Sequence, residues 1–147
     1  MDLNYWEATP LIFPIAILAQ LFARQDKYQH AFDAIQIGLE AGEKCGDQSW
    51  SAEYHRLFGQ MLLTNAPKEL QMHQAELYFR QAIAISQKQN AKFWELRATT
   101  SLCKLLIQQN RMPEALSIQQ SICKSVTKGF DTVDLKDAFS LASFLNQ

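Results

Sequence analysis

The sequence predicts an all-α chain, and three observations lead to that class. Apolar residues recur at helical spacing along nearly the whole chain, interrupted only at short polar segments. Ala, Leu, Gln, Glu and Lys are plentiful, runs of β-branched residues are almost absent, and there are only five Gly and four Pro. The third observation is an internal repeat of paired helices, which predicts a stacked array.

The interruptions divide the chain into seven helical stretches. The first begins near Pro10 or Pro14 and ends at Arg24, and we expect its regular part to begin nearer Pro14, because a proline inside a helix removes a hydrogen bond. The other six cover residues 29–45, 48–64, 69–89, 92–109, 113–128 and 132–145.

Residues with special backbone preferences mark several of the predicted helix ends. Pro113 occupies a first-turn position, where its missing N–H has no intrahelical partner to lose. Gly46 and Gly129 follow helices as C-terminal caps, and Asp131 or Thr132 is expected to cap the last helix.

The repeat appears when the sequence is shifted by 44 residues, which places Ala31 on Ala75 and Trp50 on Trp94. A third copy begins at Ala115, 40 residues after Ala75. Each copy holds two helices, and one such hairpin cannot cover its own apolar face, so neighbouring hairpins must stack. Trp50 and Trp94 are therefore expected to be core anchors.

The placement of small and large residues resembles the tetratricopeptide repeat. That pattern has a small residue late in the first helix, a large one three residues later and an Ala early in the second helix. The matching triplets are Ala19, Phe22, Ala31; Gly59, Leu62, Ala75; and Cys103, Leu106, Ala115. The Pro that usually ends each unit is missing, and the period exceeds the usual length of about 34 residues. The resemblance implies a right-handed superhelical array of about three hairpins with a C-terminal capping helix.

A narrower resemblance covers the chain from about Ala19 onward. Residues 52–63 (AEYHRLFGQMLL), 75–86 (AELYFRQAIAIS), 94–106 (WELRATTSLCKLL) and 129–138 (GFDTVDLKDA) are similar to the C-terminal repeat region of bacterial predicted ATPase regulators linked to adenylate or guanylate cyclase domains. In the last of these segments, Phe130 is expected to plug the end of the preceding hairpin. The resemblance implies a scaffolding or signalling role. The chain has no G-x-x-x-x-G-K-S/T motif, so the nucleotide chemistry of that family does not carry over.

Composition and length limit the other function classes. We expect a single domain over 1–147, with an N-terminal extension at 1–9 and a capping helix at 132–145. A formal net charge of −1 argues against nucleic acid or an anionic membrane as a partner. The apolar segment 11–23 is too short to span a bilayer and lacks the preceding cations of a signal peptide, so we expect a cytoplasmic protein.

Residues able to carry chemistry are few and scattered. None of the histidines (His30, His55, His73) lies four residues from another His or Cys, so no metal site is expected. An odd number of cysteines without a C-x-x-C motif indicates reduced thiols, with Cys103 in a buried small-residue position and Cys45 and Cys123 near helix ends. No base or oxyanion pocket is evident, so we expect neither enzymatic activity nor a cofactor.

The predicted function is to hold a protein or peptide partner on the concave face formed by the first helices of successive hairpins. Four cations and one anion on that face favour carboxylates or the backbone of an extended peptide. In the alternative interpretation of these charges, Glu53 simply pairs with Arg56 or Arg97. The predicted partner-binding residues are Gln20, Arg24, Glu53, Arg56, Gln60, Thr64, Arg97, Thr100, Lys104 and Gln108.

A second hypothesis for function is self-association. The apolar segment 11–22 begins the array with no preceding helix to cover it, unless Tyr5 and Trp6 fold back over it. Such an uncovered end would mark either a homodimer contact or the point at which a larger ATPase or cyclase regulator continues.

Overall fold

A computed structural model describes residues 5–64, 67–126 and 133–145, with side chains described from residue 14 onward except at 134 and 135. These residues form seven α-helices and no strand, which confirms the predicted all-α class. The helices are α1 (Tyr5–Arg24), α2 (Tyr28–Cys45), α3 (Ser51–Leu62), α4 (Glu69–Lys88), α5 (Lys92–Gln108), α6 (Met112–Ser125) and α7 (Val133–Leu145).

Three helices end in the same backbone turn. Asp26, Asn90 and Asn110 adopt left-handed conformations with φ of 59°, 54° and 61°, which Asp and Asn tolerate better than most residues. In each turn the next residue donates its N–H to a carbonyl five residues back, as Ala91 does to Ser86 at 2.8 Å. The left-handed residue itself donates to a carbonyl three residues back. This double closure satisfies the last carbonyls of α1, α4 and α5 and reverses the chain within three residues.

Gly46 is the predicted cap of α2, and its φ of 71° confirms that role. Pro113 lies in the first turn of α6, also as predicted. Gly129, Phe130, Asp131 and Thr132 lie outside the described residues.

The helices pack in sequence, each against the next, and α1, α3, α5 and α7 also contact one another in order. Small residues permit the closest approaches. A Cβ on Gly59 of α3 would lie 2.7 Å from Cε1 of Phe79 in α4, so any side chain there would require the buried Phe79 ring to shift. Trp50 and Trp94, matched by the 44-residue shift, lie in contact with ring centroids 4.8 Å apart, and both are half-buried.

Three helix boundaries differ from the prediction by three residues or more. The first helix begins at Tyr5 and runs through both prolines, so the expected start near Pro14 is wrong, and residues 5–9 of the expected N-terminal extension are helical. Pro14 is exposed, and water can satisfy the carbonyl that its missing N–H leaves without a donor. The helix expected from residue 48 begins at Ser51, because Asp47 accepts a hydrogen bond from the Ser49 N–H and forms a turn first. The helix expected to reach residue 128 ends at Ser125.

Within the described helices, none is both long enough and apolar enough to cross a membrane.

Candidate partner-binding groove

A groove of about 470 Å³ is bordered by α1, α3 and α5, with Phe79 of α4 also in its lining. Apolar side chains of Leu57, Met61, Phe79 and Leu105 form part of its wall. Six of the predicted partner-binding residues line it: Gln20, Arg24, Gln60, Thr64, Lys104 and Gln108. The fold therefore brings together predicted residues that lie up to 88 positions apart in the sequence, as Gln20 and Gln108 do.

Some polar side chains of the groove already make hydrogen bonds within the chain, and others do not. Gln20 donates from Nε2 to the Ala16 carbonyl at 3.3 Å, and Thr64 donates from Oγ1 to the Met61 carbonyl at 2.6 Å. Arg24, Gln60 and Gln108 make no side-chain hydrogen bond to any residue that the structure describes. The groove thus offers an apolar surface beside a cation and two amides that remain open to a ligand.

Glu53, Arg56 and Arg97 form a buried ion-pair network, called here the inner network. The Glu53 carboxylate accepts two hydrogen bonds from Arg56, both at 2.7 Å, and one from Arg97 at 2.8 Å. The Glu53 and Arg56 side chains are only 2% and 5% exposed. The pairing of Glu53 that the alternative interpretation expects is therefore present, with both arginines, but Glu53 and Arg56 are buried and do not lie on an ordinary solvated face. Glu53, Arg56 and Thr100 are all buried, so they are far less accessible to a partner than a concave-face position suggested.

A recess of about 130 Å³ adjoins the groove where α3, α5 and α7 meet. Gln60, Ser101 and Lys104 line both spaces, so the recess opens from the groove. The remaining predicted residues other than Glu53, namely Arg56, Arg97 and Thr100, line the recess.

Two residues of the recess were missed from the sequence. Ser101 lies next to Thr100 and also lines the groove. The 44-residue shift aligns Ser101 with Leu57, another groove residue, so the repeat alignment contains a signal for this position. Asp137 comes from α7, which the prediction treated only as a cap. Its Oδ2 lies 3.7 Å from the Lys104 Nζ, and both side chains are more than half exposed.

A second network, called here the outer network, joins α4 to the start of α6. Glu76 accepts hydrogen bonds from Arg80 at 2.8 Å and from Arg111 at 2.6 Å, and Glu114 accepts from both arginines at 2.6 Å. Burial acts to raise the pKa of Glu76, but the hydrogen bonds and charges of Arg111 and Arg80 outweigh burial and hold that pKa below its ordinary value. Hydrogen bonds from Arg80 and Arg111 also lower the pKa of Glu114. These arginines thus hold both carboxylates in the ionised form.

The histidines and cysteines have structural surroundings. The His55 Nδ1 lies 2.7 Å from the Ser51 carbonyl, and the His30 ring packs against Phe22. Cys103 is fully buried as expected, and burial raises the pKa of its thiol to about 12. Among the described residues, no three His, Cys, Asp or Glu side chains converge as metal ligands would.

Comparisons of the chain with family models, curated proteins and solved structures found no match. Its function must therefore be inferred from the groove and the chemistry of the residues that line it.

Proposed function

We propose that this chain is a non-catalytic module that binds an extended peptide or protein segment in the groove between α1, α3 and α5. The groove itself carries the proposal: four helices contribute to one cavity that combines an apolar wall with open polar groups. Extended segments present side chains to apolar pockets and leave their own backbone groups in need of partners, so they suit such a surface.

The polar groups favour a segment with acidic character. Gln60 and Gln108 supply amides that both donate and accept, as unpaired backbone groups require. Among the described residues, Arg24 is exposed and makes no ion pair, and the one ion pair of Lys104 is its 3.7 Å contact with Asp137. Both cations can therefore pair with carboxylates of the partner at little cost.

The proposed architecture is a right-handed superhelix of three tetratricopeptide-like hairpins and a capping helix. The sequential contacts of α1, α3, α5 and α7, the shared turn geometry and the contact of Trp50 with Trp94 support it. The motif resemblance to bacterial regulators supports a role as a signalling scaffold. The free thiols of Cys45, Cys103 and Cys123 suit a cytoplasmic location.

Photo-crosslinking in the native host tests the groove. A photoreactive amino acid replaces Gln60 in the groove or, as a control, Lys88, an exposed residue near the end of α4. Gln60 should capture a discrete partner that Lys88 does not, and the double variant Arg24→Glu, Lys104→Glu should lose this capture while keeping the wild-type helical circular dichroism. Identical products from the two positions, or full capture by the charge-reversed variant, would contradict the proposal.

Self-association is a second candidate function, favoured by the apolar side chains of the first hairpin. Ile17, Leu18, Leu21 and Ile37 are between 42% and 57% exposed, and an apolar cavity of about 210 Å³ lies between α1 and α2. Exposed apolar groups in one place commonly mark an interface. Sedimentation equilibrium should then show a dimer that Leu18→Glu dissociates, with Lys88→Glu as the control; a wild-type monomer at every concentration excludes it.

A further inference from the structure

Among the residues that the structure describes, those lining the recess beside the groove are all polar. Arg56, Arg97 and Lys104 supply three cations, Gln60, Thr100 and Ser101 supply neutral polar groups, and Asp137 supplies a carboxylate. Its volume of about 130 Å³ corresponds to roughly four water molecules at about 30 Å³ each. A site of this size and polarity suits one small polar group, whereas the groove suits apolar side chains.

Hydrogen-bond donors inside the recess exceed the acceptors that the described residues offer them. Arg56 donates two of its five N–H groups to Glu53, and its contact with the Ser101 Oγ is long, at 3.5 Å. Its side chain is 5% exposed, so bulk water does not replace the missing partners. Arg97 is held by Glu53 and adds positive potential to the wall.

Thr100 shows the same shortage. The residue is 7% exposed, and its Oγ1 has no hydrogen-bond partner among the described residues. A buried hydroxyl without a partner is unfavourable and calls for an explanation. Since Thr100 lines the recess, a rotation about χ1 would turn this hydroxyl onto a ligand oxygen.

We infer that the recess binds a phosphoryl group carried by the segment that occupies the groove, an inference that rests on the proposed function. A phosphoryl group presents three strong acceptor oxygens and nearly two negative charges. A carboxylate carries a single negative charge on two oxygens, so it offers less charge to the three cations and one oxygen fewer to the donors of Arg56, Gln60, Thr100 and Lys104. Because Gln60, Ser101 and Lys104 line both spaces, a side chain leaving the groove enters the recess directly.

Asp137 is the internal competitor for this site. Its carboxylate lies at the mouth of the recess, 3.7 Å from Lys104, and is 56% exposed. It can swing into solvent when a phosphoryl group arrives, and the new group then takes over the contact with Lys104.

Calorimetric titration with inorganic phosphate, with acetate as the comparison anion, tests the recess apart from any peptide. Phosphate should bind with one-to-one stoichiometry, and acetate should bind at least about tenfold more weakly. Lys104→Gln should weaken phosphate binding about tenfold, Thr100→Val should weaken it severalfold, and Asp137→Asn should strengthen it about threefold. Lys92→Gln, at the far end of the same helix, is the control and should change nothing.

These titrations overturn the inference if phosphate fails to bind, or if it binds equally well to the wild type, Lys104→Gln and Thr100→Val. Lys104 is 55% exposed, so its variant should keep the wild-type melting temperature and remain informative. Equal binding of acetate and phosphate would instead assign the recess to carboxylates and also contradict the inference.

Three pools of randomised decapeptides, with phosphoserine, Glu or Ser fixed at the centre, separate this inference from the proposed function. Tighter binding of the phosphoserine pool, lost in Lys104→Gln, supports both. Equal binding of all three pools supports the groove and overturns the recess. Binding of inorganic phosphate without binding of any pool supports the recess as an anion site and contradicts the peptide groove.

Discussion

The inner and outer networks share one design but differ in their exposure to water. In each, one glutamate accepts hydrogen bonds from two arginines: Glu53 from Arg56 and Arg97, and Glu76 from Arg80 and Arg111, with Glu114 as a second acceptor in the outer network. Glu53 is 2% exposed, whereas Glu76 is 12% exposed and its arginines are 38% and 41% exposed.

The difference shows how burial determines the loss of stability when the carboxylate of such an ion pair is removed. Arginine at the outer network is well hydrated, so losing a carboxylate there leaves charges that water can stabilise. At the inner network, Arg56 would remain dry and without its counter-ion. The inner network joins α3 to α5, and the outer network joins α4 to the start of α6. Within the described part of the chain, Arg56 and Arg97 of the inner network line the recess, and no residue of the outer network lines the groove or the recess.

Glu53→Gln should give the largest effect. It leaves the buried Arg56 without a carboxylate and should lower the free energy of unfolding by about 3–5 kcal/mol. Urea denaturation at neutral pH measures the change, with Glu43→Gln, an exposed residue of α2, as the control. A loss no larger than that of the control would show that burial does not distinguish the networks.

The same substitution in the outer network, Glu76→Gln, should cost about 1–2 kcal/mol, because partly exposed charge-assisted hydrogen bonds contribute less. Denaturation in about 1 M NaCl should reduce this cost, since salt screens exposed charges, and should leave the cost of Glu53→Gln nearly unchanged. Equal salt sensitivity of the two variants would remove the proposed contrast.

Acid should weaken the outer network. The pKa of Glu76 is lowered in the folded protein from its ordinary 4.5, so its contribution is present above that value and is lost as pH falls through the lowered pKa. Glu114 has a lowered pKa as well and acts in the same direction. The stability difference between wild type and Glu76→Gln should therefore shrink between about pH 5 and about pH 3. A difference that stays constant over this range would contradict the assignment.

Asp137→Asn should give the smallest effect on stability. Its contact with Lys104 is long and both groups are exposed, so the free energy of unfolding should change by less than about 0.5 kcal/mol. Thermal unfolding checks this expectation. A larger loss would mean that the pair stabilises the docking of α7, and Asp137 would then be a poor competitor for a ligand.

The sequence predicted the helices and most of the groove because both follow from periodicity. Positions such as Gln60 and Lys104 share a place in the 44-residue register, so they lie on equivalent faces of α3 and α5. The ion pairs of the inner network could not be predicted in this way. Glu53 and Arg56 are three residues apart on one helix face, and this spacing is the same whether the Arg56 side chain extends into solvent or pairs with Glu53. The start of α1 was not predicted because a proline inside a helix raises its free energy without forbidding it. The other contacts of a 20-residue helix can offset that cost.

The burial of Cys103 makes the alkylation of its thiol a measure of how often the packing between α5 and α6 opens. Its Sγ has no access to solvent and lies 3.4 Å from the Ala115 carbonyl, so an alkylating reagent can reach it only when α5 separates from α6. Cys123 is half-buried near the end of α6 and should react sooner. The ratio of the two labelling rates therefore measures how much more often the chain frays at this end than it opens at its centre.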